Sequence, residues 1–261
     1  MRINYIFHEY FENEIPAFCY DNDNNVVSVP RNELIDERKL VFGPIVFRGT
    51  IAALHYLKFN LKLAGWPDLI WPFNQDEKIF DYSALPRGSG TLLNEDAEFT
   101  TTEEFLLAGF PKWIRSNSGN KIFSGGVFTE EQFLEEVFFL RSKNVTNINI
   151  VCASPKTIGK EWRFAIVGGK IISCSLYMEN GEPKEEKTID SEAYRFAHKW
   201  NERFGSIYAG NYVLDVCEIG NEFKTVEVNN LLTSGLYLCD FPKVMKAIRD
   251  NIYEKFPEKI S

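Results

Sequence analysis

The sequence predicts a mixed α/β and α+β protein in which helices cover sheets, and three observations carry that reading. Aromatic residues make up 15% of the chain and include 22 Phe, and side chains of that bulk need broad flat surfaces to pack against. Residues 1–95 alternate strand-like runs with one amphipathic helical run. The remainder carries two hairpins between helical stretches, the first closed by a Gly-Gly turn. At 261 residues the chain can bury roughly 70–75% of its unfolded surface. Its 44% hydrophobic and 25% charged residues exclude a disordered, collagen-like or coiled-coil chain.

In chain order, Ile3 to Phe7 reads as a short strand, Val26 to Val29 as another, and Pro44 to Phe47 as a buried strand that stops at Arg48-Gly49. Thr50 caps a helix whose Ile51, Leu54, Leu57 and Leu61 follow the i, i+3, i+4 rule. Trp, Pro, Gly and Asp crowd residues 65–90, so irregular connections and the boundary between an N-terminal lobe and the rest belong there. Lys112 to Arg115 is a strand, Ser116 to Asn120 a polar turn, and Lys121 to Phe128 a strand interrupted by glycines. Thr129 and Gln132 form a capping box for a helix with Phe133, Val137 and Leu140 on one face. Ile148 to Cys152 is a strand, and Glu161 to Val167 with Lys170 to Tyr177 is a hairpin turned by Gly168-Gly169. Ser191 opens a helix through Ala193, Ala197, Trp200 and Phe204. Tyr212 to Cys217 and Phe223 to Asn229 form a second hairpin, and Pro242 starts a last helix with Val244, Ile248 and Ile252 on one face.

Charge narrows the partners. The net charge of −8 repels phosphate backbones, so extended nucleic-acid binding is not expected, whereas a small anionic ligand needs only a few placed cations. Five cysteines, Cys19, Cys152, Cys174, Cys217 and Cys239, are widely spaced with no CxxC, which fits reduced core thiols in a cytoplasmic protein. No run approaches the ~20 apolar residues of a membrane span, and the first apolar run is too short for a signal peptide. No membrane partner is expected.

The second hairpin carries the chemistry. Period 2 places Asp215 with Val213 and Cys217 on one face, and Thr225, Glu227 and Asn229 on one face of the partner strand. A three-residue turn, Gly220 to Glu222, would set Asp215 opposite Glu227 and bring the three oxygen ligands together. Two carboxylates that close require a cation between them, and an oxygen-only set suits Mg²⁺. Upstream, Arg115, Lys121, Lys156 and Arg163 supply cations, and Ser124-Gly125-Gly126 lets backbone N–H groups approach phosphates. Arg48, at a strand end before a helix start, is a candidate for binding a substrate carboxylate.

From about Phe110 to Tyr237 this order resembles the ATP-grasp superfamily. The matching pieces are Trp113-Ile114-Arg115, Lys121-Ile122-Phe123-Ser124-Gly125, Pro155-Lys156, Glu161-Trp162-Arg163, Val213-Leu214-Asp215, Val226-Glu227-Val228-Asn229 and Ser234-Gly235-Leu236-Tyr237. The resemblance is closer to a divergent clade marked by an arginine and two lysines. That clade includes relatives of the eukaryotic initiation factor 2 assembly factor and phage and bacterial ATP-grasp proteins. The resemblance implies an ATP-grasp fold with a pre-ATP-grasp-like α/β domain over 1–95 and the ATP-grasp domain over 96–261. The latter would divide into an N-subdomain of about 96–150 and a C-subdomain of about 151–261, with ATP held between them. Carried over by position, Arg115 and Lys121 would contact phosphates, and Val151, Cys152 and Ala153 would offer hinge backbone groups to adenine. Lys156 would touch the nucleotide, Arg163 with Lys121 would serve catalysis at the transferred phosphate, and Asp215, Glu227 and Asn229 would hold Mg²⁺. Ordinary ATP-grasp ligases usually have lysine where Arg115 stands, and arginine binds in a forked geometry.

The implied activity is an ATP- and Mg²⁺-dependent carboxylate–amine ligase acting through an acyl phosphate on a protein, peptide or small molecule. An ATP-binding assembly factor without turnover is the alternative, and a kinase-like phosphotransferase a third. Such chemistry is mainly positioning and charge neutralisation, so no Ser/His/Asp or Cys/His arrangement is required. His8, His55 and His198 are read as structural or surface residues.

Overall fold

The computed structural model describes residues 2–8, 15–21, 24–30, 33–73, 75–105, 109–118, 122–187 and 190–256. Strands β1 (Asn4–His8), β2 (Asn25–Val29) and β3 (Ile45–Arg48) form a parallel sheet in the order β2-β1-β3. Every residue of β1 and β3 is buried, as a parallel sheet covered on both faces requires. Helix α1 (Ile51–Leu63) follows β3 at once. The Thr50 hydroxyl accepts from the Ala53 N–H, and Leu54, Leu57 and Leu61 face inward.

A second sheet is antiparallel and contains β4 (Glu98–Thr101), β5 (Lys112–Ser116), β6 (Gly126–Phe128) and β7 (Asn149–Ala153) in the order β4-β7-β5-β6. Helix α2 (Glu130–Ser142) packs on it through Phe133, Val137 and Leu140, with both hydrogen bonds of the Thr129–Gln132 capping box formed. Phe133 meets Phe105 and Phe128 edge-on at 5.1 and 6.1 Å. The strand expected over 121–128 shortens to Gly126–Phe128. A Cβ on Gly125 would lie 2.9 Å from the Arg115 Cβ, so the backbone presses against β5 there instead of extending the ladder. Lys121 lies outside the described residues.

The third sheet holds β8 (Lys160–Val167), β9 (Lys170–Glu179), β10 (Glu182–Glu186), β11 (Tyr212–Ile219) and β12 (Glu222–Asn229) in the order β10-β9-β8-β11-β12. Helix α3 (Ser191–Phe204) is capped by Asp190, which accepts from the N–H groups of Glu192 and Ala193. Helix α4 (Phe241–Lys255) buries Val244, Met245, Ile248 and Ile252. These α4 residues share one apolar core with β1, β3, α1, Ala165, Val213 and the segment Leu231–Phe241. The N-terminal sheet is thereby packed directly onto the C-terminal helix, with Arg48 and Gly49 reaching the segment that follows β12.

The β8–β9 turn uses Gly168 and Gly169, both at positive φ (58° and 73°), as a two-residue hairpin demands. Gly210 backs this turn: its carbonyl accepts from the Gly169 N–H at 2.9 Å, its φ is +69°, and a Cβ there would meet the Gly169 nitrogen at 2.6 Å. Gly210→Ala is expected to cost about 1–3 kcal/mol, read as a lower urea midpoint at unchanged slope. No helix among the described residues is long and apolar enough to cross a membrane. All five cysteines are buried and unpaired.

Candidate active site

A row of charged side chains crosses the third sheet. The register sets Arg163 on β8 opposite Asp215 on β11, and Asp215 opposite Glu227 on β12. The last pairing arises differently from the sequence reading. The turn has two residues, Gly220 and Asn221, since Ile219 pairs with Glu222, and a β-bulge at Val226 supplies the missing residue. The same bulge pairs Thr225 with Val216, which takes Thr225 out of the row expected to hold Glu227 and Asn229. Thr225 instead anchors an upstream segment, donating its N–H to the Thr91 carbonyl at 2.7 Å and accepting from the Leu93 N–H at 2.9 Å.

Asp215 is fully buried and Arg163 is 7% exposed. The guanidinium donates to both Asp215 oxygens, Nε to Oδ1 at 2.8 Å and Nη2 to Oδ2 at 2.7 Å, while Nη1 donates to the Gly235 carbonyl at 2.7 Å. Tyr237 and Tyr177 stack on each other at 4.8 Å and flank the guanidinium at 4.9 and 5.3 Å. Burial disfavours the charge on Arg163, but Asp215 more than reverses that effect and keeps it cationic. Asn229 donates its amide to Asp215 Oδ2 at 3.2 Å and to Glu227 Oε1 at 2.8 Å. The other Glu227 oxygen accepts from Arg115 Nη1, which reaches over from β5 of the second sheet. Arg115 Nε also donates to the Ser116 carbonyl at 3.1 Å, and its guanidinium lies 5.4 Å from the centre of the Tyr82 ring. Two carboxylates and one amide thus meet at one place, flanked by an arginine on each side.

Other expected contacts fall elsewhere. Arg48 is 1% exposed and donates to the carbonyls of Leu231 and, at 2.8 Å, Ser234. Those bonds fasten the segment after β12 to the end of β3. Burial and the like charge of Arg163 lower the pKa of Arg48. Val151, Cys152 and Ala153 form the end of β7. Within the second sheet Val151 and Cys152 are paired on both sides, to Phe99 and Arg115 and to Glu98 and Ile114, while Ala153, the last residue of the strand, is paired to Trp113. Residues 154–159 then join the second sheet to the third.

Lys156 lies on that connection, and its Nζ donates to Asp96 Oδ1 at 2.6 Å and to the Ser154 carbonyl at 2.9 Å. Asp96 also accepts from the Ser154 N–H at 3.0 Å. Burial pushes the Asp96 carboxyl up, but Lys156 and Ser154 outweigh it and hold the pKa at about 2. A carboxylate whose folded pKa is depressed stabilises the fold above its unfolded pKa, and that stability is lost as pH falls through the folded value. Asp96→Asn should therefore flatten the loss of stability between about pH 4 and pH 2, measured by urea midpoints. The Asp96 side chain is 43% exposed, so solvent screening keeps the effect under about 1 kcal/mol.

Several site residues escape sequence reasoning. Glu161 shares the face of Arg163 by period 2. Burial raises its pKa, while the Tyr177 hydroxyl, donating at 2.8 Å, opposes the shift. Tyr82 and Asp96 come from irregular segments without periodicity. A cavity of about 700 Å³ opens beside the row, a size that suits a small molecule. Arg163, Asn229 and Tyr237 line one side of it, and His55, Lys58 and Glu77 another. Glu77 accepts from Lys58 at 2.5 Å and bonds His55 Nε2 at 2.7 Å.

Residues 98–247, more than half of the chain, match a family model described as ATP-grasp domain, R2K clade family 2. The chain belongs to that family. Its fold is similar to that of the D-alanine–D-alanine ligase from Bacillus anthracis complexed with ATP, with a TM-score of 0.65, 17% identity and 98% of each chain covered. A RimK domain ATP-grasp protein from Sphaerobacter thermophilus gives a TM-score of 0.61 at 17% identity, covering 98% of this chain and 99% of that one. D-cycloserine synthetase DcsG gives a TM-score of 0.65 at 9% identity, covering 96% and 99%. Likeness at these identities speaks to the fold. No curated protein sequence is significantly similar to the chain. In this ATP-grasp domain the second and third sheets are the two layers that the Arg115–Glu227 pair ties together.

Proposed function

We propose that the chain is an ATP- and Mg²⁺-dependent carboxylate–amine ligase acting through an acyl phosphate, with residues 1–95 as a pre-ATP-grasp domain ahead of the ATP-grasp domain at 96–261. The observation that carries this reading is the convergence of Asp215, Glu227 and Asn229 between Arg115 and Arg163. Among the described residues no cluster of three or more His, Cys, Asp or Glu side chains forms an all-protein metal cage. Mg²⁺ does not need one, since it usually binds through one or two carboxylates together with substrate phosphates. Two carboxylates fit that demand, so Asp215 and Glu227 would hold the ion, with Asn229 joining them once its amide, whose nitrogen now donates to both acids, turns its oxygen inward. When bound the ion would neutralise charge on the terminal phosphates.

The protein's own groups supply the rest of the reading. Arg115 offers a planar fork to phosphate oxygens, and Lys121, outside the described residues, is the proposed second phosphate cation. Lys156 and residues 154–159 face the nucleotide where the two sheets join. Arg163 lines the cavity, and with Lys121 is the group assigned to charge on the transferred phosphoryl. A carboxylate and an amine, each a small molecule or the end of a peptide, would enter the cavity. The carboxylate takes the γ-phosphoryl group from ATP, the amine attacks the acyl carbon, and phosphate leaves as the C–N bond forms.

Incubation with ATP, Mg²⁺ and a mixture of amino acids tests the proposal. It expects ADP and phosphate release together with a product whose mass equals acid plus amine minus water. Tight ATP binding with no ADP release under any acceptor would overturn the ligase reading in favour of an ATP-binding assembly factor. Stable phosphate on an acceptor would instead indicate a phosphotransferase.

A further inference from the structure

Two helices leave apolar ridges in solvent, and their charges are opposite. On α2, Leu134 and Phe138 lie one turn apart with Phe139 beside them, at 45%, 77% and 59% exposure. These three share a shallow groove with Glu130, Glu131 and Glu135. The helix carries four glutamates against the single Arg141. On α1, Phe59 and Leu63 lie one turn apart at 61% and 70% exposure. That helix contains no acid and carries exposed Lys62 beside the ridge, its other lysine, Lys58, being paired with Glu77 on the cavity side. Phe42, 71% exposed, contacts Trp66 at 5.6 Å just beyond the end of α1 and extends the ridge. Exposed Lys39 adds charge from the 3-10 turn Glu37–Lys39, which touches the same helix.

Single exposed apolar residues are ordinary. Paired i, i+4 anchors inside a rim of one charge sign are what a helix presents to an apolar groove. Charge selects the occupant. Pairing α2 with α2 would bring acid against acid, and α1 with α1 lysine against lysine, both unfavourable. α1 against α2 joins apolar to apolar and Lys to Glu. We propose that a second copy of this chain covers these ridges, with α1 of one copy seated on α2 of the other. The net charge of −8 makes copies repel at long range, so the attraction is local: the apolar anchors supply affinity and the rim supplies register. The contact joins unlike surfaces, so a two-fold pair would form it twice and an open chain of copies once per junction. None of this depends on the catalytic reading.

Sedimentation of the full chain from about 1 to 100 µM tests it. Wild type should associate with concentration, and Phe138→Glu and Phe59→Glu should each remain monomeric. Both replace exposed residues, so their melting should stay near wild type. Mixed in equal amounts, the two variants should recombine into a heterodimer, because each retains the surface that the other has lost. Raising salt from about 0.1 to 0.5 M should weaken the association several-fold. A wild type that stays monomeric across the range overturns the proposal, as does a Phe138→Glu variant that associates normally. Variants that still associate on their own but do not recombine with each other would show like surfaces pairing with like, and would overturn it too.

Discussion

Asp215→Asn is expected to lower the stability of the protein by about 3–5 kcal/mol, because it leaves a buried guanidinium without its counter-charge. Asp215 is fully buried and takes both of its Arg163 bonds at 2.7–2.8 Å. Asp215 is enclosed, and Arg163, though it lines the cavity, has only 9% of its side chain exposed. For a chain of this size each kcal/mol moves the melting temperature by about 2–4 °C, so scanning calorimetry should show a fall on the order of 10 °C. Replacing both partners, as Arg163→Met with Asp215→Leu, should recover most of the loss, since a buried ion pair is often no more stabilising than apolar side chains of similar volume. A single variant melting within a degree of wild type would mean that water reaches this pair.

Glu227→Gln is expected to reduce Mg²⁺-dependent ATP turnover by about 10²-fold or more, the usual scale for losing a charged group at a metal or phosphate centre. It has a structural cost as well. Arg115 and Glu227 are 8% and 14% exposed as side chains, so the substitution strips a buried arginine of its partner and removes a tie between the second and third sheets. Asn229→Ala separates the two effects. It deletes the amide that bridges both carboxylates without deleting a charge, and should reduce turnover with a smaller change in melting. Wild-type turnover in Glu227→Gln, measured as ADP release, would place the phosphate site elsewhere.

Much of this site was legible because strands impose period 2. Asp215, Glu227 and Asn229 read as one face from spacing alone, and their side chains do meet. The sequence could not show how they meet, because a bulge at Val226 and a two-residue turn give the same Asp215–Glu227 pairing as a longer turn without a bulge. Polar edge strands were invisible for a different reason. Glu98–Thr101 and Glu182–Glu186 bury no residue fully, so they leave no apolar alternation to read. Arg48 and Val151 to Ala153 show the limit of a local pattern. A strand-end arginine and a strand-end backbone give no sign in the sequence of their distant partners, Leu231 and Ser234 for the one and the strands on both sides of Val151 and Cys152 for the other.

The arginine that grips Glu227 belongs to a different sheet from the carboxylate it neutralises. Under the proposed reading, a metal-bound triphosphate would compete with these ion pairs: Arg115 would exchange a carboxylate for phosphate, and the acids an arginine for the metal. Affinity would then measure the difference between two comparable sets of ion pairs, so the tie between the sheets is itself part of what a nucleotide has to displace.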